Sequence, residues 1–320
     1  EGLIMLDADR KIQYMNQSCQ DLFEVSGSKF IGQTISGFCD SIPMQEVVES
    51  ALKGNVHTAM QELDHKKVQY FGNPILENQK IQGIIILVLD ITERERTERM
   101  RKEFSANVSH ELKTPLTSIS GYSELIENGI ATGDDVQRFA REIHKSSNRL
   151  LTLINDIIRL SELDVTTEDI MEELDICDMA ANCVEMLQMS AEKHQVQLSF
   201  SGEPQMVTAN RQMMDELIYN LCDNAIRYNN PGGRVDVSVY REVERVVLEV
   251  KDNGIGIPEK DQERIFERFY RVDKSRSKST GGTGLGLAIV KHIIALHDNV
   301  KLELRSKLGE GTTIYVYFTK

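Results

Sequence analysis

The 320-residue chain has few means of stapling itself or crossing a bilayer. Its five cysteines, Cys19, Cys39, Cys177, Cys183 and Cys222, are odd in number, scattered and without a C-x-x-C spacing. They make no disulfide framework and fit packed thiols in a reducing cytoplasm. The longest apolar run, "GIIILVL" from Gly83 to Leu89, is far short of the roughly 20 residues that a membrane helix needs. Positive charge is also in deficit: 37 basic residues stand against 50 acidic ones, a formal net charge of -13. Such a field repels a phosphate backbone, so nucleic acid is not an expected partner. No secretory-signal pattern opens the chain, and its first residue is Glu1. The expectation is a piece of a longer protein, with any membrane segment lying upstream.

A chain of this length suggests about two or three domains. "LIML", the turn "DADR" and "KIQYMN" read as a hairpin, and "IQGIIILVLDIT" reads as a buried strand. They bound a small α+β domain at 1–92. "ERERTERMRKEF" follows, dense in both charges and free of glycine and proline, which suits a solvated helix. A helix through residue 127, the turn "NGIATGDD" and a second helix carrying Val136, Phe139, Ile143, Leu150, Ile154 and Ile157 form an antiparallel hairpin, 93–165. Beyond "LDVTTED", helices alternate with β-rich runs such as "RVDVSVY" and "TTIYVYF", an α/β domain over 170–320.

The hairpin carries the first candidate chemistry. In "FSANVSHELKTPLTS", at about 100° per residue, Phe104, Val108, Leu112, Pro115, Ile119, Tyr122 and Ile126 form one stripe, and His110 projects about 200° from its centre. The imidazole is expected to face solvent, with Thr114 one turn along and Glu111 at the border. The same three residues also suit an ordinary solvated face. Two hairpins could bury the stripe as a four-helix bundle, or the stripe could pack on the other domains of its own chain.

In "ELIYNLCDNAIRYN", Glu216, Asn220, Asn224 and Tyr228 recur at i+4 beside Arg227. Their oxygens suit Mg²⁺, which takes hard ligands and binds together with phosphates. "VKDNGIGIP" ends a strand in Asp252 and follows it with Gly254 and Gly256, a carboxylate and bare backbone suited to the amine edge of a purine. "GGTGLGLAIV" sets Gly281, Gly282, Gly284 and Gly286 before an apolar helix. Bare amides there make an anion site, although the spacing is neither a Walker loop nor G-x-G-x-x-G. Arg271, Lys274, Arg276 and Lys278 lie between these segments in a serine-rich stretch that suits a mobile cationic lid. A solvated helix face, a D-N-G turn or a glycine-rich loop would explain each segment alone. Their succession in one domain is what points to a nucleotide site. His57 and His65 lie in polar, irregular sequence and suit surface better than a haem. His292 and His297 are five apart, which does not suit a shared metal.

Taken in order, these segments resemble the boxes of bacterial sensor histidine kinases. "FSANVSHELKTPLTSI" is similar to their phosphoacceptor box, "NLCDNAIRY" to the N box, "DNGIGIP" to G1, "FERFYR" to the F box and "GGTGLGLAIV" to G2. The first block resembles a PAS sensor domain ending in "DIT". The arrangement is similar to the membrane-anchored phosphate-sensing and cell-wall-regulating kinases of Gram-positive bacteria. The resemblance implies a multidomain α+β chain: a PAS-like domain, a helical hairpin that dimerises into a four-helix bundle, and an α/β sandwich of the GHKL type. It also implies ATP and Mg²⁺ as cofactors. His110 would take the γ-phosphoryl group, Glu111 its proton, and Thr114 would orient a water for dephosphorylation. Asn224 would hold Mg²⁺ with Asn220 in support, and Asp252 would read adenine, with Gly254 and Gly256 shaping its pocket. Gly282, Gly284 and Gly286 would let the lid close, and Arg227 and Tyr228 would touch phosphate or ribose. The implied partners are a second copy of the chain and a cytoplasmic response regulator. The implied location is the cytoplasmic portion of a cell-membrane-anchored protein, with "LDVTTED" as the hinge between hairpin and ATP domain. Two rivals remain at this point. A gyrase- or chaperone-type ATPase would leave no phosphate on protein, and a ligand-binding adaptor would bind no nucleotide.

Overall fold

A computed structural model of the chain describes residues 1–25, 27, 29–63, 66–78, 80–163, 170–273 and 282–319. The chain divides into two compact units, Glu1–Ala106 and Asn107–Lys320.

The first unit is built on an antiparallel sheet of order β2-β1-β5-β4-β3, with β1 Gly2–Asp7, β2 Ile12–Met15, β3 His57–Leu63, β4 Lys66–Glu77 and β5 Lys80–Asp90. Alternation in β1, where Gly2, Ile4 and Leu6 are the buried positions, turns one face of the sheet inward. Helices α1 Gln17–Leu22, α2 Ile35–Phe38 and α3 Ile42–Leu52 supply side chains to the same core. Met44, Val47 and Val48 of α3 pack there with Ile4, Tyr70 and Ile86. His57 begins strand β3 and is exposed, so its segment is regular structure rather than the irregular stretch its polar neighbours suggested. His65 lies outside the described residues.

Helix α4, Thr92–Glu127, starts in the first unit and continues into the second, where α5, Asp134–Leu163, runs back against it. Tyr122 stacks on Phe139 with ring centroids 5.1 Å apart. Pro115 lies inside α4 and is buried. Its ring removes the amide that would bond the carbonyl of Glu111. Neighbouring hydroxyls bond backwards around this point, Thr114 Oγ1 to the His110 carbonyl at 3.2 Å and Thr117 Oγ1 to that of Lys113 at 2.8 Å. Phe104 belongs to the first unit. In the second, Val108, Leu112, Ile119, Tyr122 and Ile126 are half-buried, whereas Leu116 and Leu151 are each 58% exposed.

The rest of the second unit is a layered α/β fold. A sheet of order β11-β12-β10-β9-β7 is formed by β7 Gln197–Gly202, β9 Arg234–Glu242, β10 Arg245–Asp252, β11 Val300–Lys307 and β12 Gly311–Phe318. Among the described residues, β7 and β9 are the pair that runs parallel. A short ribbon pairs β6, Glu172–Asp175, with β8, Met206–Ala209. Helices α6 Ile176–His194, α7 Arg211–Arg227 and α8 Gly286–Ala295 pack together, α7 also reaching the sheet. The first two start for local reasons. Asp175 caps α6 by accepting from the Cys177 amide, and Asn210 caps α7 by accepting from the Met213 amide. On α7, Met214, Leu217, Ile218, Leu221, Cys222 and Ala225 are buried. That stripe leaves Asn220 and Asn224 to point the other way.

Candidate active site

The opposite face of α7 lines a cavity of about 830 Å³ in the second unit. Asn220, Asn224, Arg227 and Tyr228 form one wall, Asp252 and Gly256 lie by the strand end, Gly282 and Gly284 lie before α8 and Gly286 is its first residue. The motif segments between Asn220 and Gly286 thus meet around one space, as the order of motifs led us to expect.

The two asparagines are oriented by the helix itself. Asn220 Nδ2 donates to the Glu216 carbonyl and Asn224 Nδ2 to the Asn220 carbonyl, each at 2.8 Å. With both amide nitrogens turned back along the helix, the amide oxygens are the atoms presented to the cavity. At Gly286 a Cβ would come within 2.7 Å of Asn220 Oδ1, so the absence of a side chain there is what lets α8 approach that oxygen. Glu216 departs from the expected oxygen ridge, because its carboxylate pairs with Arg159 of α5 at 3.2 Å. Tyr228 is likewise past the helix end, as the C-terminal cap of α7. Arg227 pairs with Asp223 at 2.5 Å.

Asp252 ends β10. Its Oδ1 accepts from the Gly254 amide at 2.8 Å and the Thr312 amide at 3.3 Å, which leaves Oδ2 for a ligand. Burial pushes its carboxyl up to about 6, against the two amide bonds that lower it. Gly256 has φ +66°, and a Cβ there would strike the Lys307 carbonyl, so this turn requires glycine. Gly254 packs against the Tyr228 carbonyl, Gly282 against the Tyr228 hydroxyl and Gly284 against the backbone of Phe269.

His110 is exposed on α4, as its helical angle predicted. Its neighbour Glu111 is half-buried and held by two guanidinium groups, Arg149 of α5 at 3.1 Å and Arg271 at 3.3 Å. Arg271 is therefore not a free lid cation here: its side chain is 7% exposed. Lys274, Arg276 and Lys278 of the expected lid and Gly281 of the expected glycine turn lie outside the described residues, as does nearly all of the expected hinge, 164–169. Among the described residues that line the cavity, neither His110 nor Thr114 figures.

Several site residues were not anticipated. Thr152, Asn155, Asp156 and Arg159 of α5 line the cavity, a tertiary contact without a local sequence signal. Gly311, at φ +107°, sits where a Cβ would strike the Asp252 carbonyl, and Ser306 Oγ accepts from the Ile257 amide at 2.9 Å. The "GEGTT" turn was the available hint for the former. His297 is past the end of α8, where Nδ1 donates to the Ile293 carbonyl at 2.8 Å and Nε2 accepts from the Asn210 amide at 3.3 Å. That histidine ties α8 to the cap of α7.

Three family models match the chain. They are the PAS fold over residues 1–96, the His Kinase A (phospho-acceptor) domain over 100–165, and the histidine kinase-, DNA gyrase B- and HSP90-like ATPase over 209–320. The chain is 31% identical over 324 residues to sensor histidine kinase WalK of Bacillus subtilis, a match that covers 98% of this chain and 52% of that protein. It is 31% identical over 323 residues to a sensor protein kinase WalK of Staphylococcus aureus, covering 99% of this chain and 77% of that protein. The chain spans about half the length of most curated relatives it matches. Among solved structures, histidine kinase ThkA in complex with response regulator protein TrrA aligns with a TM-score of 0.58 at 21% identity, over 100% of this chain and 95% of that one. Histidine kinase AdeS of Acinetobacter baumannii aligns with a TM-score of 0.53 at 22% identity, over 66% of this chain and 97% of that one. These two are likenesses of fold. No helix among the described residues is long and apolar enough to cross a membrane.

Proposed function

The chain belongs to the bacterial sensor histidine kinases, and from that premise we propose that it binds Mg·ATP in the α7–α8 cavity and phosphorylates itself on His110. The phosphoryl group then passes to an aspartate of a cytoplasmic response regulator, and the same surface dephosphorylates that regulator. We assign 1–92 to sensing, 93–165 to dimerisation and phosphotransfer and 170–320 to ATP binding, within the cytoplasmic part of a membrane-anchored homodimer. The observation that carries this reading is the cavity, where two oriented amide oxygens, a buried carboxylate and a glycine turn before a helix converge on one space.

The residues present fit the metal. Asn224 Oδ1 would hold Mg²⁺, with Asn220 Oδ1 beside it, and both oxygens are turned outward by bonds from their own amide nitrogens. When bound, Mg²⁺ supplies charge neutralisation on the transferring phosphates. Asp252 Oδ2 accepts from the adenine amine. The amides before α8 receive phosphate oxygens, and Arg227 and Tyr228 lie beside the ribose and phosphates. Phosphoryl transfer then needs alignment more than covalent assistance. An imidazole nitrogen of His110 bonds to the γ-phosphorus as the bond to the β,γ-bridging oxygen breaks. ADP leaves, and Glu111 takes the ring proton. Glu111 is engaged by Arg149 and Arg271 in this structure, so catalysis requires that cluster to open and the ATP domain to move along the hairpin. The exposed Leu116, Leu151, Ile154 and Ile158 of α4 and α5 support a second copy of the chain as the partner that covers them.

Incubation with γ-labelled ATP tests the reading. Label is expected on the protein, lost in acid and kept in alkali, as a phosphorus–nitrogen bond requires. Release of free phosphate with none on protein would make the chain an ATPase of the gyrase type.

A further inference from the structure

The cavity has a wall that nucleotide chemistry does not explain. Four residues of α5 line it, and one of them is an acid. Asp156 Oδ2 accepts from Thr283 Oγ1 at 2.6 Å, and that same hydroxyl accepts from the Leu285 amide at 3.3 Å, at the foot of α8. Thr283 is only 8% exposed. A carboxylate thus stands at the glycine turn assigned above to phosphate, within the attraction of Arg159 and Arg227. We propose that Asp156 is a self-inhibitory stand-in for phosphate: docked on the ATP domain, it holds the anion-binding end of the cavity, so hairpin docking and triphosphate binding exclude each other.

The proposal rests on the reading of the cavity as an ATP site, and two further ties point the same way. Arg159, one turn beyond Asp156, pairs with Glu216 of α7 at 3.2 Å, and Arg271 pairs with Glu111 of α4 at 3.3 Å. Docking therefore occupies three groups at once: the phosphate end of the cavity, the acid on the helix that presents Asn220, and the acid beside the acceptor histidine. Burial pushes the Asp156 carboxyl upward, against the Thr283 bond and the two arginines. A buried anion at this position is not a cheap way to hold two surfaces together, since apolar residues of similar size do so at lower desolvation cost. Competition with another anion accounts for the charge. Like charges cannot share the site without raising the energy of both, so a triphosphate must displace Asp156, and a ligand lacking phosphate need not.

Titration calorimetry of the whole chain and of Asp156→Asn separates these cases. The asparagine keeps an oxygen for the Thr283 hydroxyl and removes the charge. A non-hydrolysable ATP analogue with Mg²⁺ should bind the variant more tightly, on the order of fivefold, while adenosine binds both proteins equally. An unchanged or weaker affinity for the ATP analogue overturns the proposal, and so does an equal gain for adenosine, which would indicate a change of pocket shape. If the parent protein binds no nucleotide, the ATP-site reading fails and takes this proposal with it. Should the variant fold poorly, hydrogen exchange on the unsubstituted chain gives the answer. The ATP analogue should speed exchange at residues 152–159 of α5 and adenosine should not, and protection of that segment by the analogue would sink the idea.

Discussion

The face of α4 around His110 and the cavity beside α7 are both reactive surfaces, and they are made in opposite ways. His110 is exposed on one continuous helix, and the hydroxyl one turn along, that of Thr114, bonds to the helix backbone. The cavity takes its parts from α5, α7, the end of β10 and the turn before α8, with amide nitrogens tied back, a carboxylate under two backbone amides and glycines where side chains would collide. On the proposed function, His110 is a nucleophile that meets a nucleotide and a regulator in turn, and such a group is best left on an open surface. A nucleotide site must fix metal, base and phosphates together, so it is built before its ligand arrives.

That contrast predicts that lesions on the helix cut chemistry without cutting binding, and lesions in the cavity cut both. The largest effect is expected for His110→Gln. Labelled phosphate on the protein should fall by about two orders of magnitude or more, while ATP affinity stays within about twofold of the parent. Label persisting in the variant would mean another acceptor. Asn224→Ala should come next, weakening Mg²⁺-dependent ATP binding by about tenfold or more and lowering phosphorylation with it. Normal binding of Mg·ATP by that variant would show the metal ligand to be misassigned.

The same contrast explains what could be read from sequence. The helical angle was enough to put His110 in solvent and Pro115 inside, because a helix face is a property of spacing alone. Asn220 and Asn224 were legible for the same reason. What escaped depends on contacts across the chain. Asp156 and Arg159 fall on an α5 face with nothing local to mark them as cavity lining. Glu216 shares the spacing of the asparagines, yet a cross-helix guanidinium takes its carboxylate. Arg271 sits in a basic, serine-rich stretch that suggested a mobile lid, and one acid on α4 is enough to draw it in. Gly311 is needed only because the backbone of Asp252 passes beside it.

Asp252→Asn should have a mixed effect that sharpens the comparison. The carboxyl titrates at about 6 when folded, against 3.8 for an unburied aspartate. A raised aspartate pKa means that the folded protein holds the proton more tightly than the unfolded one. Stability therefore declines as pH rises from about 4 to about 6, and above 6 the charged group costs on the order of 2–3 kcal/mol. The asparagine keeps Oδ1 for the Gly254 and Thr312 amides and places an amine where Oδ2 stood. Thermal melts at pH 7.5 should show the variant to be more stable than the parent, with the difference shrinking as pH falls from about 6 to about 4. Adenosine should bind it several-fold more weakly, because two donors then face each other. A variant no more stable than the parent at pH 7.5 would mean that the carboxylate is better solvated than its burial indicates.

The smallest effect on the kinase reaction belongs to Thr114→Ala. The hydroxyl donates to the His110 carbonyl at 3.2 Å, the bond expected if this threonine only helps α4 accommodate Pro115. That bond uses the hydroxyl proton and leaves the oxygen lone pairs open to a water, so it does not decide between a structural role and a part in dephosphorylation. Energetically it is a minor support, worth about 1 kcal/mol or less for an exposed neutral bond. The two roles separate when both reactions are timed. If Thr114 orders water against a phospho-aspartate, the alanine variant phosphorylates itself at the parent's rate, and phosphorylated regulator freed of ATP decays several-fold more slowly in its presence. If the threonine only steadies the helix, melting temperature, self-phosphorylation and regulator decay fall together. Decay at the parent's rate would remove Thr114 from the dephosphorylation reaction and leave the open face around His110 with one role, that of phosphoryl donor and acceptor.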